Sequence, residues 1–381
     1  MLCRAGMAAL AGATLLAVFA LAQSPSELEK NKGVGDSPDT APPLAIDLRP
    51  DLTHDAVRAA MRKVADWQLE RARPYFSTDW TFAALYDGFM AASATLGDAK
   101  YRQAMHEMGE KLNWQLGPRP EHADDVAVGQ VYLELYRKQK DARILPPLTE
   151  RFAHQMGLKD DPAKPLWWWC DALFMAPPTL ARLYQATGNA EYLDFMDRQW
   201  WITSKLLYDP EEHLFFRDAG YLGKHEANGR KLFWSRGNGW VMGGIARVLD
   251  YMPKNYPARL RYVAQFREMA AAVRKVQGED GLWRSGLLDP QAYPLPEASG
   301  SAFIAYALAW GVNQGILDRN TYAPTARKAW AGLLTHVYAD GRLGCIQPVG
   351  AAPGQFKATS SFVYGVGAFL LAGSQMDRLQ F

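Results

Sequence analysis

The 381-residue chain carries 42 Lys and Arg against 40 Asp and Glu, so its charge is nearly balanced and its pI only mildly basic. That balance leaves no electrostatic footprint for nucleic acid, and no such partner is expected. The compositional outlier is aromatic: 13 Trp supply flat faces that stack on sugars or fill a large helical core.

The N-terminus reads as a targeting segment. Met1 to Arg4 is short and basic, Ala8 to Leu21 is apolar, and Ala20-Leu21-Ala22 offers a small-residue cleavage site, so residues 1–22 are assigned to a signal peptide. The apolar stretch is short for a membrane span and no later run is long and charge-free enough to be one. An exported protein is expected, periplasmic or secreted, with no membrane span. Residues 23–50, rich in Ser, Pro, Asp and Lys without periodicity, read as a flexible leader. The body, 51–381, has no linker-like stretch and is expected to form a single domain. Cys3 leaves with the signal, while Cys170 and Cys345 are too few for a disulfide framework and read as buried thiols.

Helical periodicity dominates the body. The apolar spacing predicts helices over 51–68, 80–96, 124–136, 171–187, 191–208, 240–251, 258–277, 301–313, 325–337 and 361–373. Two junctions repeat a phrase. Leu96-Gly97-Asp98-Ala99-Lys100-Tyr101 and Thr187-Gly188-Asn189-Ala190-Glu191-Tyr192 each set a Gly C-cap, a polar turn and a Tyr at the next helix start, with a weaker echo from Asn313 to Tyr322. Degenerate repeats of this kind indicate stacked helical hairpins, and strand-like runs are scarce. An all-α toroid of about six hairpins fits the length better than an open solenoid, which would need terminal caps.

Within that frame, Trp167-Trp168-Trp169-Cys170-Asp171 sets one carboxylate behind three indoles and ahead of the apolar run Ala172 to Pro178. Burial raises a carboxyl's pKa toward the range where it holds a proton near neutrality, so Asp171 either caps the helix that follows or carries proton chemistry. Phe233-Trp234-Ser235-Arg236-Gly237-Asn238-Gly239-Trp240 joins two indoles, a guanidinium and flexible glycines before a helix. Such an Arg presents a planar fork to a carboxylate, or pairs with a structural Asp. His122-Ala123-Asp124-Asp125 supplies two more carboxylates at a helix start, one serving as N-cap and the other available to join Asp171. The seven His show no metal-type spacing, and neither a catalytic metal nor another cofactor is expected. Gly237-Asn238-Gly239 and Ser299-Gly300-Ser301 lack the strand-then-helix context of a phosphate loop, and no GxSxG elbow is present.

From about Val57 to Gly373 the chain resembles the unsaturated rhamnogalacturonyl hydrolases of glycoside hydrolase family 105, relatives of the unsaturated glucuronyl hydrolases of family 88. The most specific segments are Trp169 to Met175, Phe233 to Trp240 and Glu297-Ala298-Ser299-Gly300-Ser301-Ala302. The resemblance implies an (α/α)6 barrel without metals, acting on the unsaturated uronic acid that a polysaccharide lyase leaves at a non-reducing end. It implies that Asp171 is the general acid and base and that Trp234, Arg236 and Trp240 line the sugar subsite, with Trp169 and Met175 as neighbouring candidates. Either Asp124 or Asp125 corresponds to a second active-site carboxylate. Where some members carry a His, this chain reads Phe215-Phe216-Arg217-Asp218, which leaves Arg217 or His225 to compensate. The implied reaction is hydration. Asp171 protonates C4 of the C4=C5 vinyl ether, water adds at C5, and the hemiketal opens to release the neighbouring sugar. Unsaturated galacturonate on rhamnose is the first expectation and unsaturated glucuronate, as in ulvan products, the second. A non-catalytic sugar-binding α-toroid is the alternative from another class, and a sugar epimerase would depend on His pairs that are not evident.

Overall fold

The computed structural model describes residues 33–379 of the chain, so the predicted signal peptide lies outside the described residues. The helices alternate between an outer and an inner layer. The outer layer comprises α1 (His54–Ala72), α3 (Ala99–Lys111), α5 (Leu145–Met156), α8 (Glu191–Leu207), α10 (Arg259–Lys275) and α12 (Arg319–Leu334). The inner one comprises α2 (Trp80–Leu96), α4 (Gly129–Gln139), α7 (Pro177–Thr187) preceded by the short α6 (Ala172–Met175), α9 (Ser235–Leu249), α11 (Ala298–Asn313) and α13 (Val363–Arg378). Inner helices pack in the order α2, α4, α7, α9, α11, α13 and back to α2, which closes the ring. The fold is the six-hairpin (α/α)6 toroid.

Sequence pattern accounts for the two layers. Every residue of α9 is buried, as is every residue of α13 except Arg378, because an inner helix meets neighbours on all sides. An outer helix such as α1 buries one stripe, including Val57, Met61, Val64 and Gln68, and turns its Lys and Arg outward. The repeated Gly junctions behave as read: Gly97 (φ 64°) and Gly188 (φ 77°) close α2 and α7 in the left-handed region, and Tyr101 and Tyr192 pack inward beyond them.

Three expectations change. The predicted 171–187 helix is broken at Ala176: Pro177 and Pro178 lack backbone N–H groups, so they begin α7 and do not continue α6. The outer helix α3 begins where the Gly-turn-Tyr phrase places a helix start but its extent was not predicted, and α5 was not expected. The first is short and interrupted by charge, and Pro146 and Pro147 of the second mark its first turn, where proline is tolerated. Residues 33–50, expected as flexible leader, are instead tied to the body. Strand β1 (Gly35–Asp36) pairs antiparallel with β4 (Ser361–Phe362) just ahead of α13, and the buried Arg342 donates to Asp36 Oδ1 at 2.5 Å. Such a charge-assisted bond holds a segment that has no apolar periodicity of its own.

The ring seam between α2 and α13 depends on glycine. A Cβ on Gly88 would meet Gly367 Cα at 2.7 Å, and one on Gly367 would run into the Ala84 carbonyl. Replacing Gly367 with Ala therefore forces two inner helices apart. The expected loss is about 1–3 kcal/mol of stability, read as a lower urea midpoint.

Candidate active site

The N-terminal ends of the inner helices and the loops leading into them gather the motifs. Asp171 sits immediately before α6 and makes no cap bond to the helix. Its backbone is placed by the neighbouring segment: Cys170 N donates to Arg217 O at 2.8 Å, and Trp169 bridges to Asp218. Residues 217–218 are delivered in turn by the hairpin of β2 (Tyr208–Asp209) and β3 (Leu214–Phe215). Asn238, in the first turn of α9, holds that hairpin by accepting from Phe215 N at 2.8 Å and donating to Phe215 O at 3.1 Å. The Trp-Arg-Gly-Asn-Gly motif, expected as a loop ahead of a helix at 240, therefore begins the helix at Ser235.

The Asp171 carboxyl is buried. Cys170 Sγ lies 3.3 Å from Oδ1, and Arg217 Nε lies 3.9 Å from Oδ2, too far for a hydrogen bond. Burial pushes Asp171 above the ordinary carboxyl value, opposed chiefly by the Arg217 charge. Gly237 fits this corner because a Cβ there would meet Cys170 Sγ at 3.0 Å and approach Asp171 Oδ1 at 3.5 Å.

The second carboxylate separates cleanly. Arg119 grips Asp125: its backbone N donates to Oδ2 at 2.5 Å and its NH2 to Oδ1 at 2.6 Å. Asp125 is thereby a structural anchor for the 3₁₀ turn Ala123–Val126. Asp124 is left with looser partners, Arg119 NH2 at 3.7 Å and His122 Nδ1 at 3.5 Å. Burial, followed by the charge of Asp171, pushes the Asp124 carboxyl up to about 7. Its response to Asp171 places the two carboxyls in one electrostatic site. His122 is lowered by burial and by Arg119, so it is neutral at pH 7, and its ring packs 4.5 Å from that of Trp169.

The aromatic residues divide in a way the motifs alone did not show. Trp167 and Trp169 are buried, whereas Trp168 is 44% exposed and carries the Arg217 guanidinium 5.4 Å from its ring centre. Trp240, expected to stack on sugar, is enclosed: Phe303 and Phe174 lie 4.2 and 4.8 Å from it, and Trp80 covers an edge. It faces the ring core because the five residues from Ser235, where α9 begins, turn it to another side of the helix. Trp234 is buried with its edge toward Gly237 and its face under Arg236, 4.4 Å away.

Arg236 itself is fully buried between Trp234 and Tyr364, and its two terminal nitrogens donate to the carbonyls of Gln347 (2.6 Å) and Pro348 (2.8 Å). The fork expected to face a carboxylate is thus occupied by backbone. Glu297, 4.0 Å away, balances the charge while capping α11 through Ser299 N and Gly300 N. Arg217 differs. It is only partly enclosed: its NH1 binds Asp218 at 2.6 Å, and its Nε, like that of Arg236, has no acceptor among the described residues. Met175 is buried in the ring, and His225 lies on an exposed hairpin opposite Lys231, away from the motif segments. Among the described residues no three His, Cys, Asp or Glu gather as a metal site, and no helix is long and apolar enough to cross a membrane. Cys170 and Cys345 are both free and buried.

Two desolvated carboxyls, Asp171 and Asp124, and the Arg217 guanidinium thus gather at one end of the helical toroid. The profile of Glycosyl Hydrolase Family 88 matches residues 52–380, and the chain belongs to that family. An unsaturated 3S-rhamnoglycuronyl hydrolase of Formosa agariphila is 41% identical over 359 residues, 88% of this chain and 94% of the relative. A protein with the same description from Alteromonas sp. is 31% identical, over 87% and 89% of the two chains. The solved structure of a family 88 glycosyl hydrolase from Bacteroides vulgatus superposes with a TM-score of 0.82 at 31% identity, covering 86% of this chain and all of that one. The chain is a hydrolase that removes an unsaturated uronic acid from oligosaccharides.

Of the residues with site geometry, Trp168, His122, Tyr364 and Gln347 were not singled out from the sequence. Trp168 carried a signal, since three consecutive indoles before an Asp cannot all point inward. Gln347 carried none. Because Asp124 is raised in the folded state, its contribution to stability is full below the unfolded value near 4 and is lost as pH rises through 7. Asp124→Asn removes that loss, so the variant should gain on the order of 1–3 kcal/mol over the parent at pH 8, shrinking toward zero at pH 4, in urea titrations at both pH values.

Proposed function

We propose that the protein is an exported hydrolase that hydrates the C4=C5 bond of an unsaturated uronic acid at the non-reducing end of a lyase-generated oligosaccharide. Asp171 is proposed as the acid. The observation that carries this reading is its buried carboxyl, raised by desolvation, held beside Arg217 and electrostatically coupled to Asp124. A carboxyl whose burial favours the protonated form can deliver its proton to C4 of the vinyl ether, building positive charge shared between C5 and the ring oxygen. The resulting carboxylate then takes a proton from water as the oxygen adds at C5. The hemiketal so formed opens to a ketone and releases the neighbouring sugar, so no glycosyl-enzyme bond is required.

The other groups take supporting roles. Asp124 shares the site's proton inventory with Asp171, because two like carboxyls in one desolvated pocket do not both ionise readily. Arg217, its guanidinium over the exposed Trp168 and its charge beside Asp171, is assigned to meet the substrate carboxylate. Arg236 lies behind Trp234 and adds positive field from within the wall. Trp168 offers the accessible ring face for the sugar. On the substrate side, the 41% and 31% identical relatives are described as acting on rhamnoglycuronyl linkages, which supports a uronic acid linked to rhamnose. Whether the parent acid was galacturonic or glucuronic matters little at the reacting end, since the double bond removes the C4 stereocentre that distinguishes them. The basic and apolar N-terminal stretch Met1 to Ala22 supports export to the periplasm or medium.

Asp171→Asn should lower kcat by at least about 10²-fold with an unchanged circular dichroism spectrum, followed as loss of absorbance of the conjugated double bond. Near-parental turnover would overturn the assignment. Comparing lyase-digested rhamnogalacturonan, ulvan and gellan as substrates tests the linkage: the digests in which the unsaturated acid is attached to rhamnose are expected to be consumed, and those in which it is attached to glucose are not.

A further inference from the structure

Gln347 lies outside every sequence motif, yet its side chain and backbone together bind both members of the Trp234–Arg236 pair. Its side-chain Oε1 accepts from Trp234 Nε1 at 2.8 Å and from Ser285 Oγ at 2.8 Å. Its Nε2 donates to Ala352 O at 2.8 Å. Its backbone carbonyl accepts from Arg236 NH1 and from Tyr364 Oη, both at 2.6 Å, and its backbone N donates to Glu297 Oε1 at 3.0 Å. The residue is buried, and its neighbours fix it in turn: Ile346 N donates to Ser360 O at 2.9 Å, and Ala298 N donates to Cys345 O at 2.8 Å.

These bonds converge on one task. The indole of Trp234 can turn about its own axis unless its N–H is held, and Arg236 stacks on its face, so the indole's setting fixes the guanidinium too. The Trp234 edge also forms the wall beside Asp171, since a Cβ on Gly237 would lie 3.2 Å from Trp234 Cε3 and 3.5 Å from Asp171 Oδ1. Losing the acceptor leaves a buried N–H unsatisfied, which favours rotation of the ring out of place.

We propose that Gln347 is the positioning residue of the substrate subsite: through Trp234 and Arg236 it sets the wall against which the unsaturated uronic acid is bound. It touches neither the reacting carbons nor Asp171, so its effect falls on binding and not on the proton step. The inference rests on the reading of Trp234 and Arg236 as subsite walls.

The test is a double-mutant cycle measured with an unsaturated rhamnose-linked disaccharide. Gln347→Leu should raise KM about three- to tenfold, the equivalent of one buried hydrogen bond, with kcat within about twofold of the parent. Gln347→Glu, protonated in this buried setting, keeps an acceptor for Trp234 and a donor for Ala352 and should restore most of the KM. Trp234→Phe removes the partner N–H, so adding Gln347→Leu to it should cost little more than Trp234→Phe alone. Additive effects in the cycle, an unchanged KM, or a fall in kcat equal to the rise in KM would overturn the proposal. If Gln347→Leu does not fold, Ser285→Ala, which loosens the same Oε1, must raise KM instead, and an unchanged KM there is equally adverse. The underlying reading fails separately: a Trp234→Ala variant that folds and keeps the parental KM removes Trp234 from the subsite whatever Gln347 does.

Discussion

A guanidinium with no access to solvent is the constraint around which the active end of this toroid is organised. Arg236 cannot be neutralised by losing its proton, so burying it requires acceptors, a counter-charge and polarisable faces in one place. The carbonyls of Gln347 and Pro348, Glu297 at 4.0 Å, and the rings of Trp234 and Tyr364 supply them, leaving only Nε without an acceptor among the described residues. Those groups come from α9, α11, α13 and the segment between α12 and α13. Satisfying one cation thus fastens three adjacent inner helices and a loop at the end where Asp171 lies.

The carboxyls at that end show how partners decide role. Asp124 and Asp125 are adjacent and both poorly exposed, but Arg119 saturates one and barely reaches the other. A raised carboxyl is not sufficient to mark chemistry. Asp87, on the inner helix α2, is also pushed up to about 7 by burial, yet it lies 2.7 Å from Arg247 within a cluster that includes Glu134 and Arg182. There the arginines hold the inner helices together. What separates Asp171 and Asp124 is their company: they lie with the Trp and Arg motif segments and no arginine within 3.5 Å, whereas Asp87 has Arg247 at 2.7 Å.

Much of this was written in the local sequence. The Gly-turn-Tyr phrases announced the hairpins because a left-handed cap and a following Tyr are local devices. Asp171 and the Trp-Arg motif were legible because an isolated charge among indoles needs a reason to be there. The choice between Asp124 and Asp125 was not, since it depends on where Arg119 arrives from the preceding loop. The enclosure of Trp240 follows from the phase of a helix that starts at Ser235, and the exposure of Trp168 from an extended segment in which Trp169, its neighbour, pairs with Asp218 and faces inward. Gln347 and the strap at Gly35–Asp36 are long-range pairings with no periodicity to announce them.

Closure of the ring has a consequence for how the chain reaches this state. Helix α2 gains one of its two inner neighbours, α13, only after nearly the whole polypeptide exists, and Gly88 against Gly367 leaves no slack at that seam. Partial chains therefore expose the flanks of inner helices that were built to be covered on every side, and the last helix acts as a keystone. Contacts so distant in sequence favour slow, late consolidation. The strap from residue 35 to residue 362 likewise locks only when the two sides of that seam have met.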